Sequence, residues 1–366
     1  EGVLLDNVQL VREGVFLEDE LTHILTHDAY PVRNVTQNIA DLRAQVASCN
    51  KGAIELAKMV EHFGRDVVVA YMNHVQDNAE ESVRRVIHKL TDGEFGVDLD
   101  DGSHIHVKVS INRAERTAKV DFTGTSAQRP SNFNAPRSVS RAVVLYVFRT
   151  LVDDEIPMNA GCLKPIDIVI PDGSMLSPVY PAAVVAGNVE VSQAATNCLY
   201  GALGVLAGAY GTMTNFTFGN DTYQYYETIS GGSGAGPTFD GTSVVQCHMT
   251  NSRLTDPEVL EFRYPVRVDA HTINVGTRGK GKFHGGDGAD RRIRFLSPMT
   301  AAILGNNRVN RPHGMEGGEP GVSAKNWVER ADGSREDYGH ICEVEMHVDD
   351  VFVIQTPGGG GFGRPG

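Results

Sequence analysis

The chain reads as an α+β protein, and three observations predict it. Helical periodicity runs through two long N-terminal stretches, the pattern turns to period two after about residue 93, and the C-terminal half is short strands broken by glycine. The steady βαβα alternation of a doubly wound parallel sheet is missing. The expected architecture is an N-terminal segment with an αα-hairpin over residues 1–92. A glycine-rich α+β body over residues 93–366 follows, dominated by antiparallel strands in its C-terminal half.

Ile39, Leu42, Val46, Cys49, Ala53, Leu56, Val60 and Phe63 recur at alternating steps of three and four. That single apolar seam predicts a helix from Asn38 to Phe63, and Gly64 stands where a C-terminal cap belongs. A second helix is expected from about Asp66 to Leu90, burying Val68, Tyr71, Val75, Ser82, Val86 and Leu90. So short a connection implies a hairpin of antiparallel helices. Its polar faces are expected in solvent, and the alternative for so regular a seam is to dock a partner helix.

Alternation predicts strands over His104–Ile111 and Thr117–Phe122, with Asn112–Arg116 as the turn. Arg137–Leu151 reads as a helix and Gly161–Ile170 as a buried strand. Gln193–Ala209 is a second buried helix whose Ala and Gly residues cost propensity but let backbones approach closely. Strands are then expected at Tyr223–Ile229, Ser243–Met249, Tyr264–Val268, Arg291–Leu296, Thr300–Leu304, Glu343–His347 and Val351–Thr356.

Composition narrows the function. Of 366 residues, 33 are Lys or Arg and 46 Asp or Glu, a formal net charge of −13. That balance argues against a nucleic-acid binder, which needs a basic stripe to displace counterions. Five scattered cysteines without a CxxC indicate neither a disulfide framework nor a cysteine zinc site, so a reducing, cytoplasmic setting is expected. The longest apolar run, Cys198–Tyr210, is too short to span a bilayer, and no membrane partner is expected. The chain begins at Glu1 without Met and reads as a piece of something larger.

No G-x-x-x-x-G-K-[ST] loop occurs. Gly358, Gly360 and Gly363 match G-x-G-x-x-G, but no helix follows to receive a pyrophosphate. The segment Gly231–Pro237 carries four glycines after an expected strand. Its N–H groups would form an oxyanion nest, or the segment is a tight connection. Gly187–Gln193 sets Asn188, Glu190, Ser192 and Gln193 ahead of the buried helix. There Glu190 either stabilises the helix N-terminus or lines a pocket for a polar substrate. The stretch from Cys247 gathers His248, Asn251, Asp256, Glu258 and Glu261, groups suited to acid–base work or to a hard metal. Thr255-Asp-Pro-Glu258 also reads as a helix start, which assigns Asp256 to capping and leaves His248 and Asn251 as site candidates. His104 and His106 share one face of a strand, but no carboxylate at a matching spacing completes a metal set, so they read as surface histidines.

The strings YPVRNVTQNIADLRAQVASCNKG, NHVQDNAEESVRRVI, MNAGCLKPI, VVAGNVEVSQ, YYETISGGSGAGPTFDGTS, HMTNSRLTDPEVLEFRYPV, GKGKFHGGDG, HGMEGGEPG and TPGGGGFG resemble the hydantoinase B/oxoprolinase family, in order and nearly end to end. They look most like the C-terminal part of its members that open 5-oxoproline with ATP. The resemblance implies an α+β B-type component of an ATP-dependent cyclic amidohydrolase. Its partner would be an actin-like, A-type ATPase domain that binds the ATP and phosphorylates the substrate. For 5-oxoproline the products would be glutamate, ADP and phosphate. Related assemblies hydrolyse hydantoins or carboxylate ketones, and a homo-oligomer is expected. Family chains extend upstream of the residue matching Glu1, and any divalent-metal ligands are expected there, so none is assigned here. Within this frame Glu190 and His248 are the candidate bases. Asn188, Ser192, Gln193, Gly232, Ser233, Gly234, Gly236 and Asn251 are the candidate substrate contacts. The alternative from another class is a non-catalytic module that docks the ATPase half.

Overall fold

The computed structural model describes residues 2–366 and divides the chain into two compact units, Glu1–Ala79 and Glu80–Gly366. The first begins with a two-strand ladder, β1 (Val11–Arg12) and β2 (Val15–Phe16). Three helices follow: α1 (Glu18–Thr26), α2 (Val35–Phe63) and the first part of α3 (Arg65–Lys89). Leu21, Leu25 and Ile39 form its small core with Phe16, Val35 and Leu42 packed around them. Helix α2 starts where Asn34 accepts a hydrogen bond from the Gln37 N–H, and it ends at Gly64 with φ +84°.

The helices are as expected, but α2 and α3 make no extended packing contact with each other. The cause is the connection. One residue reaches at most about 3.6 Å, whereas packed helix axes lie roughly 8–10 Å apart. From Leu56 onward the apolar seam consequently stays in solvent, with Leu56, Val60 and Phe63 exposed, as are Tyr71 and Val75 of α3.

The second unit begins with a sheet of four strands, β3 (Gly93–Asp98), β4 (His104–Asn112), β5 (Thr117–Asp121) and β6 (Ile166–Val169). It is antiparallel except for the β5–β6 pair. The stretch expected as one strand from Gly161 begins instead as a 3₁₀ turn, Ala160–Leu163, capped by the Asn159 side chain. Helix α4 (Arg137–Thr150) packs against α5 (Ser192–Leu203), which covers β3 and β4. Every residue of α5 is buried. Its small residues permit this: a Cβ at Gly201 would sit 2.6 Å from the Phe95 ring. The helix stops at Leu203, short of the expected Ala209, because Gly204 turns left-handed with φ +68°.

The remaining elements run β7 (Asn215–Gly219), β8 (Gln224–Thr228), α6 (Pro257–Arg263), β9 (Val266–Asn274), β10 (Gly288–Phe295) and β11 (Met299–Leu304). They end with β12 (Lys325–Glu329), β13 (Arg335–Tyr338), β14 (Ile341–Met346) and β15 (Val351–Gln355). Two antiparallel sheets result, ordered β14-β11-β7-β8 and β13-β12-β15-β10-β9. Phe216, Phe218, Ile293, Phe295, Val328 and Phe352 belong to their shared core. Asp256 caps α6 as expected, accepting from the Glu258 N–H at 2.9 Å. Ser243–Met249 is not a strand. It makes a single bridge, Val245 to Gly231, because Val244 and His248 take positive φ (50° and 59°) and break the extended path.

The abundant glycine has a specific cause. Extended segments at 231–236, 277–286, 312–321 and 357–363 lie side by side and exchange backbone hydrogen bonds. A Cβ at Gly359 would fall 1.9 Å from the Ser233 carbonyl oxygen, a backbone atom that cannot step aside. Gly359→Ala is therefore expected to lose about 1–3 kcal/mol or more in chemical unfolding. Gly339→Ala, where nothing lies within 4 Å, should match wild type.

Candidate functional site

Three segments chosen from the sequence meet within the second unit. Gly187–Val191 forms a single π-helical turn that leads into α5, a feature often found at functional sites. From the start of α5, the buried Gln193 reaches the loop after β8. Its Nε2 donates to the Cys247 carbonyl at 3.2 Å, and its Oε1 accepts from the Met249 N–H at 3.4 Å. These two bonds hold His248 between them. The glycine segment joins through Tyr210, whose N–H donates to the Gly232 carbonyl and whose hydroxyl donates to Gln246 Oε1 at 3.0 Å.

Backbone strain concentrates in the same region. Thr214, Val244, His248 and Asn307 have φ of 46°, 50°, 59° and 62°. For the β-branched Thr214 and Val244 this is a costly conformation, kept only where surrounding structure enforces it.

Glu190 is fully buried. One oxygen, Oε1, accepts from Thr212 Oγ1 (2.9 Å), the Met213 N–H (3.0 Å) and Asn215 Nδ2 (2.7 Å), while Oε2 has no partner. Burial raises its pKa to about 8, outweighing the three donors and the charge of Arg308. Arg308 itself is pushed down to about 10 by the same burial. At neutral pH Glu190 is therefore chiefly in its neutral form, and through its three donors it holds the turn before β7. The unfolded carboxyl gives up its proton near 4.5 and the folded one near 8, so the native state holds more protons between those values. The stability this contributes is complete below about 4.5 and lost as pH rises through 8. Glu190→Gln keeps the oxygen acceptor without the titration. Its melting temperature should exceed that of wild type at pH 8.5 and lose the steep fall between pH 6 and 8.5.

His248 stands on α4 and α5 aromatics. Its ring lies 5.3 Å from that of Tyr200 and 6.1 Å from that of Tyr146. Burial lowers its pKa to about 4, so the imidazole is neutral at pH 7. Nδ1 lies 3.5 Å from the Tyr146 hydroxyl, and Nε2 is buried without a partner. Burial also pushes Cys247 up to about 12, keeping it a thiol.

Other candidates fare differently. Ser192 is buried and its hydroxyl donates to the Asn188 carbonyl, so it closes the π turn. The side chains of Asn188 and Asn251 are exposed, apart from the buried groups that meet here. The glycine hollow is not an oxyanion nest. The N–H groups of Gly232, Ser233 and Gly236 donate to the carbonyls of Pro357, Thr242 and Phe239. Gly234 is accounted for by packing, since its Cβ would meet the Ala207 carbonyl oxygen at 1.9 Å.

His104 and His106 do have carboxylate partners, contrary to expectation. His104 Nδ1 lies 2.6 Å from Asp98, and His106 Nε2 lies 2.9 Å from Glu94. Both acids come from β3, the neighbouring strand that sequence pattern did not reveal. Among the described residues no group of three or more His, Cys, Asp or Glu is placed to hold a metal ion. No described helix is long and apolar enough to cross a membrane. An open hollow of about 600 Å³ includes Ser110, Asn112, Lys119, Lys164 and Asp167 in its wall and none of the residues chosen from sequence.

Sequence reasoning missed Tyr146, Tyr200, Tyr210 and Arg308. The signal for Arg308 was present: Asn306-Asn307-Arg308 follows β11 after a single glycine, a polar run at a strand end. The tyrosines read as core, although a buried Tyr hydroxyl needs a partner and so points to a polar neighbour.

The 5-oxoprolinase of Dictyostelium discoideum is 41% identical across all of this chain, which covers 29% of that relative. The 5-oxoprolinase 1 of Arabidopsis thaliana is 42% identical over 99% of the chain and 31% of its own length. The chain thus spans about a third of these relatives. Among solved structures, the ATP-dependent caprolactamase from Pseudomonas jessenii superposes with a TM-score of 0.85 at 22% identity, covering all of this chain and 67% of its own, a likeness of fold. The model of the hydantoinase B/oxoprolinase family matches residues 1–365, and the chain belongs to that family.

Proposed function

We propose that this chain is the C-terminal part of the B-type half of an ATP-dependent cyclic amidohydrolase that opens 5-oxo-L-proline to L-glutamate. The observation that carries the reading is the end-to-end identity of about two residues in five with named 5-oxoprolinases. A lactam carbonyl is a poor electrophile, so phosphoryl transfer from ATP, bound by a partner A-type domain, makes attack by water feasible. We assign the base to His248, whose imidazole is neutral at pH 7 and has one ring nitrogen without a partner in the protein. Gln193 suits the positioning of the loop that carries it. Glu190 acts from behind, as the buried acid that shapes the turn.

Activity of the whole protein tests this reading. With the A-type partner and the upstream segment present, His248→Gln should lose 5-oxoproline-dependent ADP release coupled to glutamate formation while assembly is retained. The exposed apolar residues of α2 and α3 favour a second reading, a docking module without catalytic groups. Under it, His248→Gln would turn over normally and Phe63→Glu would abolish assembly.

A further inference from the structure

We propose that α2 pairs antiparallel with α2 of a second copy of this chain, about a two-fold axis between Ala53 and Leu56. Its apolar residues fall at strict steps of three and four from Ile39 to Phe63, the 3.5-residue period with which helices supercoil around each other. Only the start of that seam is used inside the chain. Ile39 is buried and Leu42 packs against it in the core of the first unit. Cys49, Ala53, Leu56, Val60 and Phe63 face solvent, as does Met59 beside them. A continuous apolar face of this kind marks an interaction surface.

The order of side chains along the seam says what covers it. Its first half is small, with Val46, Cys49, Gly52 and Ala53, and its second half is large, with Leu56, Met59, Val60 and Phe63. Two copies running in opposite directions set Ala53 against Leu56, Cys49 against Val60 and Val46 against Phe63, with Gly52 beside Met59. Every layer then joins a small side chain to a large one, as close packing needs. Each contact also recurs across the two-fold axis, as a self-complementary interface requires. A parallel pair would set small on small and large on large.

Gly52 is an independent sign of the same contact. Glycine weakens a helix interior, and the fold of the chain gives no reason for it, since nothing lies within 4 Å of where its Cβ would be. A neighbouring helix crossing there supplies the reason. Charge favours the chain's own copy. The whole chain carries −13, which drives copies apart, yet from Leu42 to Phe63 Arg43, Lys51 and Lys58 stand against only Glu55 and Glu61. The flanks of the exposed seam, Gln45, Asn50, Gly52, Ala57 and Met59, are uncharged, so no like charges meet across the pair.

This pairing stands apart from the 5-oxoproline reading, and its test uses no turnover. Sedimentation velocity is run on the full protein at micromolar concentration, with the upstream segment and the A-type partner present. Wild type is expected at twice the mass of one copy with its partner. Gly52→Leu, which suits an exposed helix better than glycine, should sediment at half that mass with the helix content of wild type by circular dichroism. Val60→Cys sets a second thiol opposite Cys49, so oxidised glutathione should join positions 49 and 60 of two copies, a link located by peptide mass mapping. A wild type of single mass, a Gly52→Leu protein that stays at double mass, or a link joining position 60 to position 60 overturns the proposal. Loss of the A-type partner in Gly52→Leu would place that partner on the seam and overturn it as well.

Discussion

Arg291→Ala is expected to destabilise the protein by about 3–5 kcal/mol, the cost of leaving one member of a buried ion pair alone. Arg291 is fully buried on β10, and Glu227 lies almost as deep on β8 of the facing sheet. They meet through two hydrogen bonds, Nε to Oε1 at 2.7 Å and Nη2 to Oε2 at 3.0 Å, with the Tyr225 hydroxyl donating to Oε2 at 2.9 Å. Truncating the arginine strands a carboxylate in the sandwich core beside Phe216 and Phe218. Chemical unfolding midpoints with a common slope measure the loss. The double variant Arg291→Met/Glu227→Leu separates charge from packing. Apolar residues of similar size avoid the desolvation cost, so it should be clearly more stable than either Arg291→Ala or Glu227→Ala. A single-variant loss below about 1 kcal/mol would contradict the buried pair.

The second large effect follows from the proposed assignment of His248 as the base. His248→Gln is expected to lower coupled turnover by about 10²–10⁴-fold, the usual contribution of a positioned general base. The pH profile carries its own signature. Burial holds the folded imidazole near 4 instead of its ordinary 6.5, so the base stays unprotonated across neutrality and activity falls only as pH drops toward 4. Stability follows the same sign. The unfolded ring binds a proton near 6.5 that the folded ring refuses, so the contribution is complete above about 6.5 and lost as pH falls through 4. In His248→Gln the acid loss of stability between pH 6.5 and 4 should be shallower than in wild type. An acid limb of kcat/KM centred near 6.5 would show a solvated histidine and contradict the burial.

Much of the secondary structure was legible because local rules govern it. Helix α4 begins at Arg137 as its periodicity predicts, β4 follows the alternation from His104, and Asp256-Pro257 starts α6 by side-chain capping and a preset φ. The α+β class and the family followed from the same strings. Strand β3 was not legible, since Gly93-Glu-Phe-Gly-Val-Asp98 carries two glycines and pairs only because β4 is beside it. Without β3, the carboxylates facing His104 and His106 could not be seen.

The sequence alone placed Gln193 and His248 among a handful of polar residues near strand ends and a helix start, since residue type and spacing are local properties. Tertiary structure decided which of them lie together and in what ionic form. Depth of burial makes Glu190 an acid and His248 a neutral imidazole, and backbone pairing takes the N–H groups that Gly232 and Gly236 had offered. Desolvation and hydrogen-bond satisfaction depend on what the rest of the chain brings close, and no window of sequence contains that.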